Sequence, residues 1–280
     1  MKLKLEPAAA LMLEWGKRAF RSDIVDGFID CFDLATADEL LRECNSICNW
    51  YGEAIINRNF FINTLVDGIL KKGESQYLII ILAAGKSPHS LQFVLQNPEK
   101  VNQILEIDFS GMDEKKLLYD THFPQVSKII KCITADIKSR GLLTMLNSIL
   151  HEYYLEIPSI TILEGISHLL SQKELENIIT GCLTSNKNNV FILDYLLPPS
   201  SINPIRVRIP NEINNIMRKH GDAGTINSLS REEISSIFEK YSGRLLRQET
   251  MTEIELQRTG NNKYFLSQAD GWFECAAWKI

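Results

Sequence analysis

Four carboxylates and a glycine stand where short apolar runs stop. In "YLIIILAAGKSPHSLQF" the run Tyr77–Leu82 ends at Ala83, Ala84 and Gly85. In "QILEIDFS", Glu106 and Asp108 share one face of an extended segment, and Asp108 closes it. "TADIKS" places Asp136 and Ile137 after the next run. "SITILEGISHLL" ends its run at Glu164 and Gly165, with His168 a little further on. A carboxylate that ends a buried strand is costly unless it is exposed or paired, so each of these implies a partner.

The residue types suggest what the partners are. Asp108 can accept both hydroxyls of a ribose, and it lies about twenty residues past the glycine turn, the spacing of a ribose partner in nucleotide fingerprints. Asp136 can accept from an adenine amino group while the Ile137 amide meets a ring nitrogen; alternatively Asp136 is the N-cap of the next helix. Glu164 can hold an ammonium group. His168 is either a structural histidine or one that touches substrate. Gly85 permits close backbone approach, or is a plain strand-to-helix turn. A dinucleotide site needs G-x-G-x-x-G, whereas only Gly85 is present and Pro88 removes a donor, which argues against a nicotinamide cofactor. One glycine suits a ligand with an uncharged middle, such as S-adenosylmethionine.

The surrounding pattern gives these residues a frame. Residues 1 to 72 read as helical: "ADELLRECNSICNWYGEAI" puts Leu40, Leu41, Cys44, Ile47 and Cys48 on one helical face, and "FFINTLVDGILKKG" ends on Lys71, Lys72 and Gly73. Five apolar runs then alternate with helical segments: Tyr77–Leu82, Val101–Ile107, Ile129–Thr134, Ser159–Leu163 and Asn189–Leu197. That alternation predicts crossover units and a parallel sheet covered on both faces. Ligands bind beyond the carboxyl ends of such strands. "PPSSINPIRVRIP" reads as a connection, and "SREEISSIFEKYSG" as a helix capped by Ser230 and Glu233 and stopped at Gly243. "TEIELQRTGNNKYFLSQADGWFECAAWKI" reads as a terminal antiparallel pair joined by turns.

Bulk properties set limits. The chain has 280 residues, 45% of them hydrophobic, enough for a sizeable core, and a net charge of −5. No basic excess favours nucleic acid. Cys44 and Cys48 form the one close pair among six cysteines, and neither a second pair nor a histidine completes a metal site, so buried free thiols are expected. The apolar run in "MKLKLEPAAALMLEWGKRAF" is broken by Glu14 and lacks a clear cleavage site, so no signal peptide is expected. No apolar stretch reaches membrane-spanning length, and a cytoplasmic location is expected.

Taken together, "LAAGKSPHSLQF", "ILEIDFSGMDEKKLL", "CITADIKS" and "TILEGISHLLSQKEL" resemble the leucine carboxyl methyltransferase family, over about residues 55 to 197. That family's pattern runs from a "GAG" turn through "E-V-D-x-P" and "D-L" to "A-E-G-v-l-x-Y-L". The resemblance implies an α/β fold of the Rossmann-like class I methyltransferase type. The sheet would be mostly parallel with a C-terminal antiparallel hairpin. A helical N-terminal cap would span 1–72 and a methyltransferase domain 73–280, with a cap insertion at about 198–245. The implied cofactor is S-adenosylmethionine. Arg58, in "NRNFFINTL", would pair with its carboxylate; Ala83 and Gly85 would lie under its methionine portion. Asp108 would take the ribose, with Glu106 as the fallback. Asp136 and Ile137 would frame the adenine, and Glu164 would meet the amino group.

The implied reaction is O-methylation of a carboxylate on a small, anionic molecule. A carboxylate is already ionised at neutral pH, so no catalytic base is expected. Arg206 and Arg208 in "PIRVRIP" are candidates to bind the acceptor, or belong to an exposed β-like edge. The sequence departs from the family at Ala83, where a glycine is usual, at Ser87 and Pro88, where an aspartate is usual nearby, and at Leu169, where a tyrosine is usual. Two alternatives stay open. One is methylation of a hydroxyl, nitrogen or carbon, for which His168 or His89 would serve as base. The other is a non-catalytic fold that binds cofactor or partner.

Overall fold

The computed structural model describes residues 2–20, 22–220 and 226–280. The N-terminal part is mostly helical. A two-residue parallel pair, β1 (Leu3–Lys4) and β2 (Phe32–Asp33), accompanies α1 (Pro7–Gly16), α2 (Asp23–Ile29), α3 (Asp38–Ile47) and α4 (Tyr51–Lys72). Pro7 opens α1, where its missing N–H costs nothing. The stretch expected as one helix from residue 37 onward is two, because Cys48 is extended (φ −154°) and α4 restarts at Tyr51. α4 has 22 residues, so it runs for about 33 Å at 1.5 Å per residue. It is buried along most of its length and buries Glu53, Asn57, Arg58, Asn59 and Asn63 with its apolar residues. Buried polar groups need partners, and Glu53, Asn57, Arg58 and Asn63 find them on other elements, whereas the Asn59 side-chain oxygen has none.

The apolar runs become strands as expected: β3 (Tyr77–Leu82), β4 (Val101–Asp108), β5 (Ile130–Thr134), β6 (Ser159–Leu163) and β7 (Val190–Leu196). The intervening helices are α5 (His89–Gln96), α6 (Met112–His122), the short α7 (Pro124–Ser127), α8 (Arg140–Tyr153) and α9 (Gln172–Gly181). All six residues of β3 are buried, and full burial of an apolar side chain is worth about 1.5–3 kcal/mol. That is why these strands show no alternation. The chain then forms α10 (Arg208–Lys219), α11 (Arg231–Glu239), β8 (Arg244–Thr250), α12 (Met251–Thr259) and β9 (Phe273–Lys279).

Among the described residues the main sheet has seven strands in the order β5-β4-β3-β6-β7-β9-β8. The five from β3 to β7 are parallel; β9 is antiparallel to both β7 and β8. The order of the strands reverses beside β3, with β4 and β5 following on one side and β6 and β7 on the other, so the carboxyl ends of β3 and β6 flank a switch point. Such switch points are where α/β sheets take ligands.

Two local readings need correction. The terminal antiparallel pair exists, but it is not a hairpin. Thr250 accepts from the Glu253 amide while Glu253 accepts from the Thr250 amide, and this capping box makes "TEIELQRT" helical. The partner of β9 is therefore β8, one helix earlier in the chain. At the end of α11, Ser242 and not Gly243 takes the left-handed conformation (φ +60°). Gly243 is still required, because a Cβ there would come within 2.8 Å of the Phe238 carbonyl oxygen.

Candidate functional site

The sheet delivers four groups to one edge: Gly85 after β3, Asp108 at the end of β4, Glu164 after β6 and Asp194 near the end of β7. The first three match the sequence expectation. Asp194 was missed, because "VFILDYL" reads as plain core.

The first turn is built on backbone conformation. Ala83 and Gly85 both have positive φ, +53° and +47°. Asp108 fixes this turn by accepting from the Gly85 amide at 2.8 Å, and its other oxygen accepts from the Ser110 amide at 3.4 Å. A carboxylate offers about four lone-pair sites, so acceptor capacity remains. A Cβ placed on Gly85 would meet no heavy atom within 4 Å, so the turn faces open space. Beside Asp108, Phe109 is 76% exposed, an uncommon position for a phenylalanine.

Glu106 sits deeper than the ribose fallback role requires. It is fully buried and accepts from Lys115 Nζ at 2.9 Å, Ser90 Oγ at 2.6 Å and Tyr119 Oη at 3.2 Å. Lys115 also donates to the Ser87 carbonyl at 2.9 Å. The pair thus ties α6 to the loop after Gly85 and is a foundation of the site. Lys86 holds the same loop from its other side, donating to the Gly111 carbonyl.

The second half of the site is a charge cluster around Arg58. Its Nε and Nη2 reach Glu164 Oε1 at 3.0 and 2.8 Å, and its Nη1 lies 3.7 Å from Asp194 Oδ2. Asp194 Oδ1 accepts from the Gly165 amide at 2.6 Å. Gly165 has φ +70°, and a Cβ there would stand 2.9 Å from Arg58 Nη1, so the guanidinium lies directly across it. His89 completes the cluster. Its Nδ1 is 2.8 Å from Asn63 Oδ1, its Nε2 is 3.0 Å from Glu164 Oε2, and Phe93 stacks on its ring.

Burial alone would raise the Glu164 carboxyl; Arg58, then His89, more than offset this and bring it to about 2. Asp194 is raised, because burial outweighs Arg58 and the Gly165 amide. Two carboxylates of different proton affinity therefore flank one guanidinium.

The other candidates fall elsewhere. Asp136 is exposed and accepts from the Lys138 amide at 2.9 Å; the N-cap of α8 is Ser139, which leaves Asp136 outside that role. Ile137 is buried next to it. His168 lies in a single 3-10 turn after Glu164, and its carbonyl accepts from the Asn227 amide. Arg206 is an internal tie: it donates to the Tyr264 carbonyl at 2.6 Å, pairs with Asp270 at 3.1 Å and lies over Trp50. Arg208 is exposed at the start of α10. Cys44 and Cys48 are free and buried.

A cavity of about 340 Å³ borders the carboxyl end of β7. Leu196, Leu197 and Trp272 line it together with Asn211, Asn214 and Asn215 of α10. Neither Arg206 nor Arg208 borders it. Among the described residues, no helix is long and apolar enough to cross a membrane.

No protein-family model matches the sequence, and a search of curated proteins finds no match. Solved structures do match. A DUF574 family protein from Streptomyces avermitilis is 12% identical with a TM-score of 0.63, covering 97% of this chain and 96% of that one. A putative methyltransferase from Thermobifida fusca is 16% identical with a TM-score of 0.61, covering 91% and 92%. A geranyl diphosphate methyltransferase, determined with GPP and sinefungin, is 9% identical with a TM-score of 0.51, covering 80% and 78%. At these identities the likeness is one of fold: the chain has the α/β fold of class I methyltransferase structures, with a mostly parallel seven-strand sheet.

Proposed function

We propose that the protein is an S-adenosylmethionine-dependent methyltransferase acting on a small molecule. The observation that carries this reading is the convergence at one sheet edge of an open glycine turn, a ribose-competent carboxylate and a buried Arg58–Glu164–Asp194 cluster. These residues fit the cofactor. The open face of Gly85 accommodates close approach, Asp108 has lone pairs left for two hydroxyls, and Phe109 offers an exposed ring next to it for a base to stack on. Arg58 suits the cofactor's carboxylate and Glu164 its amino group, while Asp136 and Ile137 border the adenine. When bound, the cofactor supplies a methyl group on a sulfonium.

The acceptor is a carboxylate on a small, anionic molecule. Support comes from the cavity beside β7, whose described wall holds no histidine, carboxylate, lysine, cysteine or tyrosine to take a proton. A carboxylate oxygen forms the new C–O bond with a lone pair it already has, the S–C bonding pair stays on sulfur, and no proton has to move. A hydroxyl or ammonium acceptor would need a base. The chain's part is to align the groups and exclude water. In this reading the described residues within 1–72 and about 198–245 cover the substrate.

The test is calorimetric titration with S-adenosylhomocysteine, with NAD as control. Micromolar binding of the first alone is expected. Phe109→Ala should weaken it about tenfold, as for loss of one base–aromatic stack, with little change in Tm at so exposed a position. Absence of saturable binding would end the proposal.

A further inference from the structure

The α10 side of the cavity has a distinct chemistry. Asn211, Asn214, Asn215 and Arg218 face it at the i, i+3, i+4, i+7 spacing of one helix face. Arg218 is engaged elsewhere in the chain, so the argument rests on the three amides. Trp272, also lining it, is fully buried, and its indole N–H lies beside the Tyr51 hydroxyl, where it favours that group's ionised form slightly against burial. Tyr51 and Trp272 are stacked, with ring centroids 5.0 Å apart.

Each asparagine both gives and takes hydrogen bonds. A wall of amides matches neutral groups that do the same, such as amides and hydroxyls. It offers an ammonium ion acceptors but no opposite charge, and it penalises hydrocarbon, which leaves the amides unpaired. The volume is at the lower end of the roughly 300–1,000 Å³ range of small-molecule sites. The cavity also adjoins the charge cluster along the chain: Leu196 and Leu197 follow Asp194 on and just beyond β7, and the Leu229 amide donates to the Leu196 carbonyl.

We infer that this cavity selects a small acid that carries an amide or hydroxyl group beside an apolar body, and that Asn214 sets the preference. Asn214 is the half-buried member of the three, and Asn211 and Asn215 are exposed. Desolvation therefore makes an unpaired Asn214 the most costly. The inference rests on the methyltransferase reading, and its test separates the two.

The protein would be labelled with [15N]tryptophan, saturated with S-adenosylhomocysteine, and titrated with hippurate, 4-phenylbutyrate or benzylamine. Trp272→Phe identifies the Trp272 indole signal among the four tryptophans. Hippurate, an acid with an amide, is expected to shift that signal saturably and at least tenfold more tightly than 4-phenylbutyrate; benzylamine should not shift it. Asn214→Leu should abolish the preference between the two acids while S-adenosylhomocysteine affinity stays unchanged. Asn214→Ala serves if the leucine variant is unstable. A signal that hippurate leaves unmoved, or that benzylamine moves equally, overturns the inference when S-adenosylhomocysteine still binds. Loss of that binding in the wild-type protein overturns the methyltransferase reading instead.

Discussion

Glu164→Gln keeps the shape of the side chain and removes its charge, so it measures what the Arg58 cluster does for stability. The Glu164 side chain is 13% exposed and its carboxyl falls from an ordinary 4.5 to about 2. Each tenfold in proton affinity is about 1.4 kcal/mol, so the ionised form contributes about 3 kcal/mol to folding at pH 7. Because the folded value is the lower one, this stability is fully present above pH 4.5 and is lost as pH falls toward 2. At pH 3 about 1 kcal/mol should remain. Urea unfolding of wild type and variant at both pH values reads the gap directly. It should be about 3 kcal/mol at pH 7 and less than half that at pH 3. An equal gap at both, or none at pH 7, would mean that Arg58 does not hold Glu164 as described.

Two further outcomes follow from buried or strained groups. Lys115→Met should destabilise the fold by about 3–5 kcal/mol, because it strands the Glu106 carboxylate in the core, and adding Glu106→Gln should restore most of that; chemical unfolding that finds the double variant no better than the single would count against a buried ion pair. Ala83→Gly relieves a left-handed alanine worth about 1–2 kcal/mol but loosens the unfolded chain by about 0.4–1 kcal/mol, so thermal unfolding should show a neutral to slightly stabilising change. A loss above about 1 kcal/mol would show that the turn is not strained at that residue.

The strands were legible because a parallel strand buried on both faces is dominated by apolar and β-branched residues; Tyr77–Leu82 is so throughout, and in Ser159–Leu163 only Ser159 and Thr161 interrupt the run. Gly85, Asp108 and Glu164 were legible because a polar residue at the end of such a run needs a reason. The same signal was present at Asp194, but two more apolar pairs of residues surround it and hid the end of the strand. His89 stood out only as a candidate base, and its place with Asn63 in the Glu164 cluster was not legible, since their partners come from other elements and only packing brings them together. Face alternation could not separate Glu106 from Asp108: both point the same way, and depth below the sheet edge decides that one meets Lys115 and the other the Gly85 turn. α10 was hidden by its prolines. Pro198, Pro199 and Pro204 mark the approach to the helix and Pro210 lies in its first turn, so the amide face begins only after it.

The two outer strands of the sheet bear on how the molecule behaves in a crowd. An edge strand offers unpaired N–H and C=O groups to any chain that comes alongside. β5 is only five residues long and carries an exposed lysine, Lys131. β8 carries Arg244, Arg247 and Glu249, and its pairing with β9 is irregular between Leu245 and Arg247. Short length, charge and a break in register are the devices that keep sheets from zipping together. Lys131 interrupts one margin, and charge and the register break interrupt the other around the exposed Leu245 and Leu246, so two copies of this chain that meet gain little by extending one sheet into the next.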